Sequence, residues 1–364
     1  MLAKQGDAPS MKAARLYGTR DMRVEDIDKP TAGPGEALIR IHACGVCPSD
    51  VRGYTGAGAH RGSFPRTPGH EWTGIIEALG PPADDGGGAP SIHTDDANAP
   101  KPLALGDRVV ADWRYVCGRC YQCRRGVFNY CENMRRAVRG GFAEYGVAPL
   151  TQLRRLPDNV SFEDASFCEP LACILNAHSG TRIDVGDDVV IVGSGPIGML
   201  HLQVARHRGA RLIVSDPIAQ RLEIAKTLGA HDVIDASATD PVARVMQLTE
   251  GRGADAVIVA VGAPEPIRQG LQMGAINGRV QLFAGTYPTV EIPTDPNLIH
   301  YRQLVVTGSH DFTPHHFSTA LRLIQYGIVR PRPLISHRFT LDGVVEAFET
   351  TANRRGMKSM VSIA

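Results

Sequence analysis

The stretch VVIVGSGPIGML, residues 189–200, constrains the architecture more than any other part of the chain. An unbroken apolar run ends in Gly193-x-Gly195-x-x-Gly198, and a helical pattern follows. The glycine pattern alone is weak. Between a strand and a helix it is the phosphate-binding turn of a parallel α/β sheet. Gly193 permits a tight turn, Gly195 lets the backbone approach a pyrophosphate, and Gly198 allows close packing of helix on strand. The helix opening at Pro196 and Ile197 offers free N–H groups and a positive dipole end. Asp216 ends the next apolar run, 23 residues after Gly193. Its carboxylate can accept a ribose diol and would repel a 2′-phosphate, so NAD is expected rather than NADP. Arg221 is taken as a further cofactor contact. A turn that binds nothing, with Asp216 a plain helix cap, is the bland alternative.

The apolar runs DVVIVG, RLIVSD, HDVID, DAVIVAV, RVQLFAG and LVVTGS alternate with helical stretches such as AQRLEIAKTLGA. Strands joined by helical crossovers predict a doubly wound parallel sheet. The first part reads differently. GEALIRIHACGV, WTGIIEALG, GDRVVADWR and AEYGVAPLTQL are β-rich and punctuated by Gly and Pro. Between Gly80 and Lys101 a Gly-, Pro- and Asp-rich run predicts a mobile surface insertion, with His93 simply solvated. The last fifty residues predict a helix, a turn at RPRPLI, a strand at HRFTL and a helix at GVVEAF.

CGRCYQCRRGVFNYC carries Cys117, Cys120, Cys123 and Cys131. Short spacings can turn four sulfurs onto one ion, and four ligands leave no open position, so a structural zinc is expected. An iron–sulfur run would have a shorter last gap and end C-P, whereas Glu132 follows Cys131. A nucleic-acid zinc ribbon is the other alternative, since arginines flank the loop. With a net charge of +1, however, the chain has no field of one sign to attract nucleic acid or a membrane surface. The first ten residues read as a loose tail without a signal-peptide pattern. No run approaches the roughly 18 apolar residues of a membrane span. The cytoplasm is the expected compartment, where clustered thiols are ligands rather than disulfides.

Three further fragments, CGVCPSD, PGHEWTG and FCEPLAC, each offer Cys, His or Glu in a tight turn, as a catalytic zinc with an exchangeable position requires. With GHEWTGIIEALG fitting G-H-E-x2-G-x5-G, the chain resembles the zinc-containing medium-chain dehydrogenases, the alcohol, sorbitol and threonine dehydrogenase superfamily. The motifs recur in that family's order over roughly Met11 to Ala364, and CEPLAC is more like the polyol dehydrogenase branch. The resemblance implies a GroES-like β-rich catalytic domain over 1–168, a six-stranded Rossmann cofactor domain over 169–313, and a return to the catalytic domain over 314–364. It implies Cys47 and His70 as zinc ligands, with Glu71 and Glu169 completing the sphere, one of them through water or in exchange. Cys44 is then a non-ligand. Ser49 matches the hydroxyl that bridges substrate and proton exit, and Asp50 would support the turn or a ligand. Homodimers or homotetramers are implied.

The sequence departs from that pattern in three places. Arg52 stands where many relatives carry a proton-accepting His, and an arginine stays protonated. Arg52 is therefore expected to contact the cofactor or an anionic or hydroxyl-rich substrate. Pro48 cannot donate to a pyrophosphate. The insertion after Gly80 has no assigned role. Tyr54, His310 and Asp311 are candidate substrate contacts, the last two because they follow the final sheet strand. The expected activity is hydride transfer between NAD and a secondary alcohol, with a polyol, sugar or cyclitol as substrate. An amino alcohol or simple secondary alcohol comes next, and an idle NAD- or nucleic-acid-binding zinc protein is the alternative from another class.

Overall fold

The computed structural model describes residues 9–57, 63–83, 101–136, 138 and 140–364. The N-terminal tail and most of the Gly80–Lys101 insertion, including His93, lie outside the described residues.

The six apolar runs form six parallel strands in the order Asp232–Asp235, Arg211–Asp216, Asp188–Val192, Ala254–Val259, Gly274–Leu282, Val305–Gly308. This is the doubly wound order, and the direction in which successive strands are added reverses between Asp188–Val192 and Ala254–Val259. Parallel strands covered on both faces have no solvent side, which is why these runs show no polar alternation. The alternation appears instead in which core each side chain joins. Val189, Ile191, Leu212, Val214, Ala256 and Ile258 pack into one hydrophobic cluster. Val190, Val192, Ile213, Val257, Val259 and Val280 pack into another.

The second sheet has seven strands, in the order Ile335–Thr340, Lys358–Ser362, Glu36–Gly45, Glu71–Leu79, Arg108–Ala111, Leu153–Arg155, with Tyr145–Pro149 also on Glu36–Gly45. Its core holds Ile39, Ile41, Trp72, Val109, Phe142 and Phe348. The strand at Lys358–Ser362 departs from the sequence expectation, which placed no element after the helix at GVVEAF. All but one of its residues are buried, so it too lacks a polar face to betray it. It lies between two strands from opposite ends of the chain and ties the C-terminal segment into the β-rich domain.

Candidate active site and its family

Strand register builds the site. Gly45 sits opposite Glu71 on one side and opposite Met360 on the other. That pairing brings the turn after Glu36–Gly45 beside His70 and Glu71, and brings Lys358 beside both. Gly45 has a packing reason to be glycine: a Cβ there would collide with Glu71 Oε2 and Lys358 Cε. Past the turn, Cys47 caps the helix Pro48–Thr55, and its carbonyl accepts the N–H groups of Asp50 and Val51.

Donor atoms of Cys47, His70 and Glu71 lie within 4.8 Å of one another. Glu169, on the first turn of the helix Cys168–Gly180, places Oε1 3.8 Å from His70 Nε2. Ser49 Oγ donates to Cys47 Sγ at 3.2 Å. Asp50 Oδ2 lies 3.3 Å from His70 Nδ1, and its Oδ1 accepts the Gly69 N–H at 3.3 Å. The carboxylate thus fixes the ring and leaves Nε2 aimed at Cys47 and Glu169, the arrangement that orients a metal-binding histidine. Burial pushes Asp50 up, but His70 and the Gly69 N–H more than offset this and hold it below its usual value. Burial pushes Glu169 up to about 7; Glu71 and Asp311 add to the shift, and His70 opposes it. A soft thiolate, an oriented imidazole and carboxylates around one point fit zinc.

Glu71 has a second partner. It forms a buried ion pair with Lys358, both residues at most 5% exposed. Burial disfavours the ammonium, yet Glu71, Cys47 and Glu169 together raise Lys358 above its usual value. Trp113 donates Nε1 to Glu169 Oε1 at 3.2 Å and stands edge-on to His70. Sequence reasoning missed both residues. Lys358 had a signal, a lone charge inside the apolar run MKSMVSI. Trp113 had none beyond its place in a β-rich stretch.

The four sulfurs of Cys117, Cys120, Cys123 and Cys131 also lie within 4.8 Å of one another. Cys131 Sγ accepts the Cys117 N–H at 3.3 Å, and Asn133 Nδ2 donates to Cys117 Sγ at 3.6 Å. The Arg119 N–H is the largest influence holding Cys117 down at about 6. Four convergent thiols with N–H donors on the sulfurs fit a closed structural zinc.

On the cofactor side, Gly193 has φ 99°, a left-handed turn that favours glycine. A Cβ on Gly198 would strike the Gly193 carbonyl, so strand and helix touch there. A Cβ on Gly195 would meet only Arg221 Nη1, at 3.9 Å, which leaves open space over the loop. Gly195 caps the helix Pro196–Arg206, with Pro196 and Ile197 in its first turn. Asp216 is buried and accepts the Ser194 N–H at 2.7 Å and the Ile218 N–H at 2.8 Å. Its carboxylate therefore holds the glycine loop and the next turn together. Arg221 reaches across to the carbonyls of Arg354 and Gly356 at 3.1 and 2.9 Å. The open loop, the helix N-terminus and the buried acid at the strand end fit a dinucleotide.

Two family models match, "Alcohol dehydrogenase GroES-like domain" over residues 33–158 and "Zinc-binding dehydrogenase" over 196–326. L-Threonine 3-dehydrogenase of Pyrococcus abyssi is 34% identical over 349 residues, 93% of each chain. The chain belongs to the zinc-binding dehydrogenase family. Sorbitol dehydrogenase of Halalkalibacterium halodurans is 30% identical over 95% of this chain and 97% of its own. A Sinorhizobium meliloti 1021 protein solved bound to NADP superposes with TM-score 0.86 at 30% identity, covering 97% of this chain and 99% of its own. This zinc-binding dehydrogenase is an oxidoreductase of CH–OH donors, with a GroES-like domain and a Rossmann-type sheet. None of its helices, among the described residues, is long and apolar enough to cross a membrane.

The substrate candidates are not all brought together. Tyr54 corrects the sequence expectation: it is 2% exposed and donates its hydroxyl to Glu349 at 2.8 Å, so it has no free group for a substrate. The Arg52 guanidinium carbon sits over the Tyr287 ring, 4.3 Å from its centroid, and so reaches the loop after the strand Gly274–Leu282. The His310 ring is exposed beside Tyr130. Asp311 is close enough to Glu169 and Cys173 for its charge to act on both.

Proposed function

We propose that this dehydrogenase oxidises a hydroxyl-rich secondary alcohol, a polyol, sugar or cyclitol, with NAD. The observation that carries the proposal is the Cys47, His70 and Glu71 cluster, with Glu169 3.8 Å from the imidazole. Cys47, His70 and Glu169 would hold the zinc. Glu71, kept by Lys358, would exchange onto it. Cys117, Cys120, Cys123 and Cys131 would hold a second, structural zinc. Bound zinc would supply Lewis acidity to lower the pKa of an alcohol, and the nicotinamide would accept the hydride. The protein's own part is positional. Ser49 would accept the hydrogen bond of the substrate hydroxyl and pass its own proton to a cofactor ribose hydroxyl and from there to water. Arg52 cannot take that proton, so its guanidinium, held over Tyr287, would serve as a contact to cofactor or substrate instead. Gly193, Gly195, Pro196, Ile197 and Gly198 would cradle the pyrophosphate, with Arg221 over the loop. Asp216 would meet the adenosine ribose and repel a 2′-phosphate, which favours NAD although a related structure holds NADP.

The relatives named L-threonine 3-dehydrogenase support a second reading, an amino alcohol as substrate. Reduced-cofactor production from zinc-loaded protein tests both, across polyols, sugars, cyclitols, L-threonine and simple secondary alcohols, with NAD and NADP side by side. Preference for a polyhydroxylated substrate with NAD, abolished in Cys47→Ser, is expected. Preference for L-threonine would establish the second reading, and silence with every alcohol would refute both.

The division at residues 168 and 313 belongs to this proposal, supported by the two separate sheets. So does a cytoplasmic homodimer or homotetramer. Val305–Gly308 is an edge strand among the described residues, and Val305 and Val306 stand exposed near Tyr301, an unpaired apolar edge of the kind that invites a second copy.

A further inference from the structure

Three consecutive residues beyond the last cofactor-sheet strand are fastened from three directions. The His310 carbonyl accepts Nδ2 of Asn129 at 2.8 Å and of Asn176 at 3.3 Å. The Asp311 carbonyl accepts Asn176 Nδ2 at 2.9 Å. The Phe312 carbonyl accepts Arg114 Nη1. Asn129 belongs to the thiol loop, between Cys123 and Cys131. Asn176 rides on the helix that carries Glu169. Arg114 adjoins Trp113, the donor to Glu169.

Arg114 is an unusual fastener. Its side chain is fully buried, its guanidinium lies 3.4 Å from the Phe312 ring centroid, and Nη2 has no hydrogen-bond partner among the described residues. Asp112 Oδ1 stands 3.4 Å from Nε, and Asp311 Oδ1 stands 3.1 Å from Nη1. A buried charge is costly unless it is paired and bonded. This one is shared between Asp112 and a single short turn.

That turn puts a non-glycine residue in left-handed backbone. Asp311 has φ 59°, a conformation an aspartate tolerates better than most. Strain of this kind persists only where the surroundings impose it. The result is a carboxylate with one oxygen committed. Oδ1 accepts the Phe312 N–H at 2.9 Å and faces Arg114. Among the described residues, no hydrogen bond reaches Oδ2, and the side chain keeps 8% of its surface open. Glu169 and Cys173 are within range of its charge.

We propose that Asp311 accepts a second hydrogen-bond donor of the substrate, on the carbon beside the carbinol, and that Arg114, Asn129 and Asn176 are positioning residues that hold it there. The proposal rests on the secondary-alcohol reading of the site and narrows its substrate to a vicinal donor, either a hydroxyl or an ammonium. The same contacts give the thiol loop a part in recognition, because Asn129 braces the turn from inside it.

Three probes separate the outcomes in the zinc-loaded, NAD-supplied protein: 2,3-butanediol with a vicinal hydroxyl, L-threonine with a vicinal ammonium, and 2-butanol with neither. Asp311→Gly suits the left-handed turn and removes the acceptor. The kcat/KM ratio of whichever donor-bearing probe is used, relative to 2-butanol, is expected to fall about tenfold or more, the effect of losing a hydrogen bond to a charged group. The loss should fall mainly on KM. Asn129→Ala, on an exposed loop, should shift the same ratio in the same direction by a smaller factor while two zinc ions per chain remain bound. A diol response identifies the vicinal hydroxyl, and a threonine response the ammonium. Turnover with an unchanged ratio in Asp311→Gly overturns the inference alone. If the unsubstituted protein turns over a sugar or cyclitol but none of the probes, the same ratio is taken for that substrate against its analogue lacking the vicinal hydroxyl; no turnover of any alcohol refutes the reading beneath the inference, and the inference falls with it.

Discussion

Replacing Lys358 with Met removes one charge of a fully buried pair while keeping most of the side chain's length. The Glu71 and Lys358 side chains are 1% and 6% exposed. Solvent cannot reach the carboxylate left behind, and its polar neighbour His70 is already paired with Asp50. Breaking such a pair from one side costs about 3–5 kcal/mol, most of it the stranded partner. Glu71→Gln together with Lys358→Met leaves no charge to strand, so the double variant should recover about 2 kcal/mol or more of that loss. The chain's two tryptophans, Trp72 and Trp113, both lie in the β-rich domain, and Trp72 follows Glu71 directly. Urea unfolding of metal-free protein followed by tryptophan fluorescence therefore reports this domain alone. A loss below about 1 kcal/mol in Lys358→Met, or a double variant as unstable as the sum of the singles, would refute the reasoning.

His178 and His201 form a buried pair, Nε2 to Nδ1 at 3.1 Å, and burial holds His178 down at about 3 and His201 well below its usual value. Both must stay neutral in the fold, so their contribution is complete above about pH 6.5 and declines as pH falls toward 3, by about 1.4 kcal/mol per pH unit for each proton taken up on unfolding. Circular dichroism of urea unfolding between neutral and mildly acid pH should show a shallower decline in His178→Leu, and parallel slopes would count against it. Asp50→Ala frees the His70 ring and should weaken zinc binding about 10- to 100-fold in chelator competition; an unchanged affinity would leave Asp50 a turn residue only. Cys120→Ser should lose one of two zinc ions by elemental analysis and lower the melting temperature, and retention of both would remove the structural zinc assignment.

The cofactor sheet was legible because parallel strands write themselves as apolar runs, and all six appear where DVVIVG through LVVTGS placed them. The cysteine and glycine motifs were legible because their chemistry depends on spacing within a few residues. What stayed hidden depends on register between distant segments. Nothing local to Lys358 says that Met360 will pair with Gly45, and only that pairing supplies a counter-ion to Glu71. Tyr54 misled for the complementary reason. Its position near Ser49 suggested the cleft, but its hydroxyl is claimed by Glu349, 295 residues along the chain. Asp216 was read for its ligand, whereas the structure shows it also clamping the loop that would bind that ligand.

The placement of Lys358–Ser362 between Ile335–Thr340 and Glu36–Gly45 has a consequence for how the molecule is made. The six strands of the cofactor sheet occur in one uninterrupted span, so that sheet has all its strands once the ribosome has passed Gly308. The other sheet begins first and finishes last. Its opening strands must wait, with Gly45 bare along one edge and Glu71 without its lysine, until the partner strand leaves the exit tunnel. Cys47, His70 and Glu71 are translated early, and the lysine that encloses them arrives on a strand made long after.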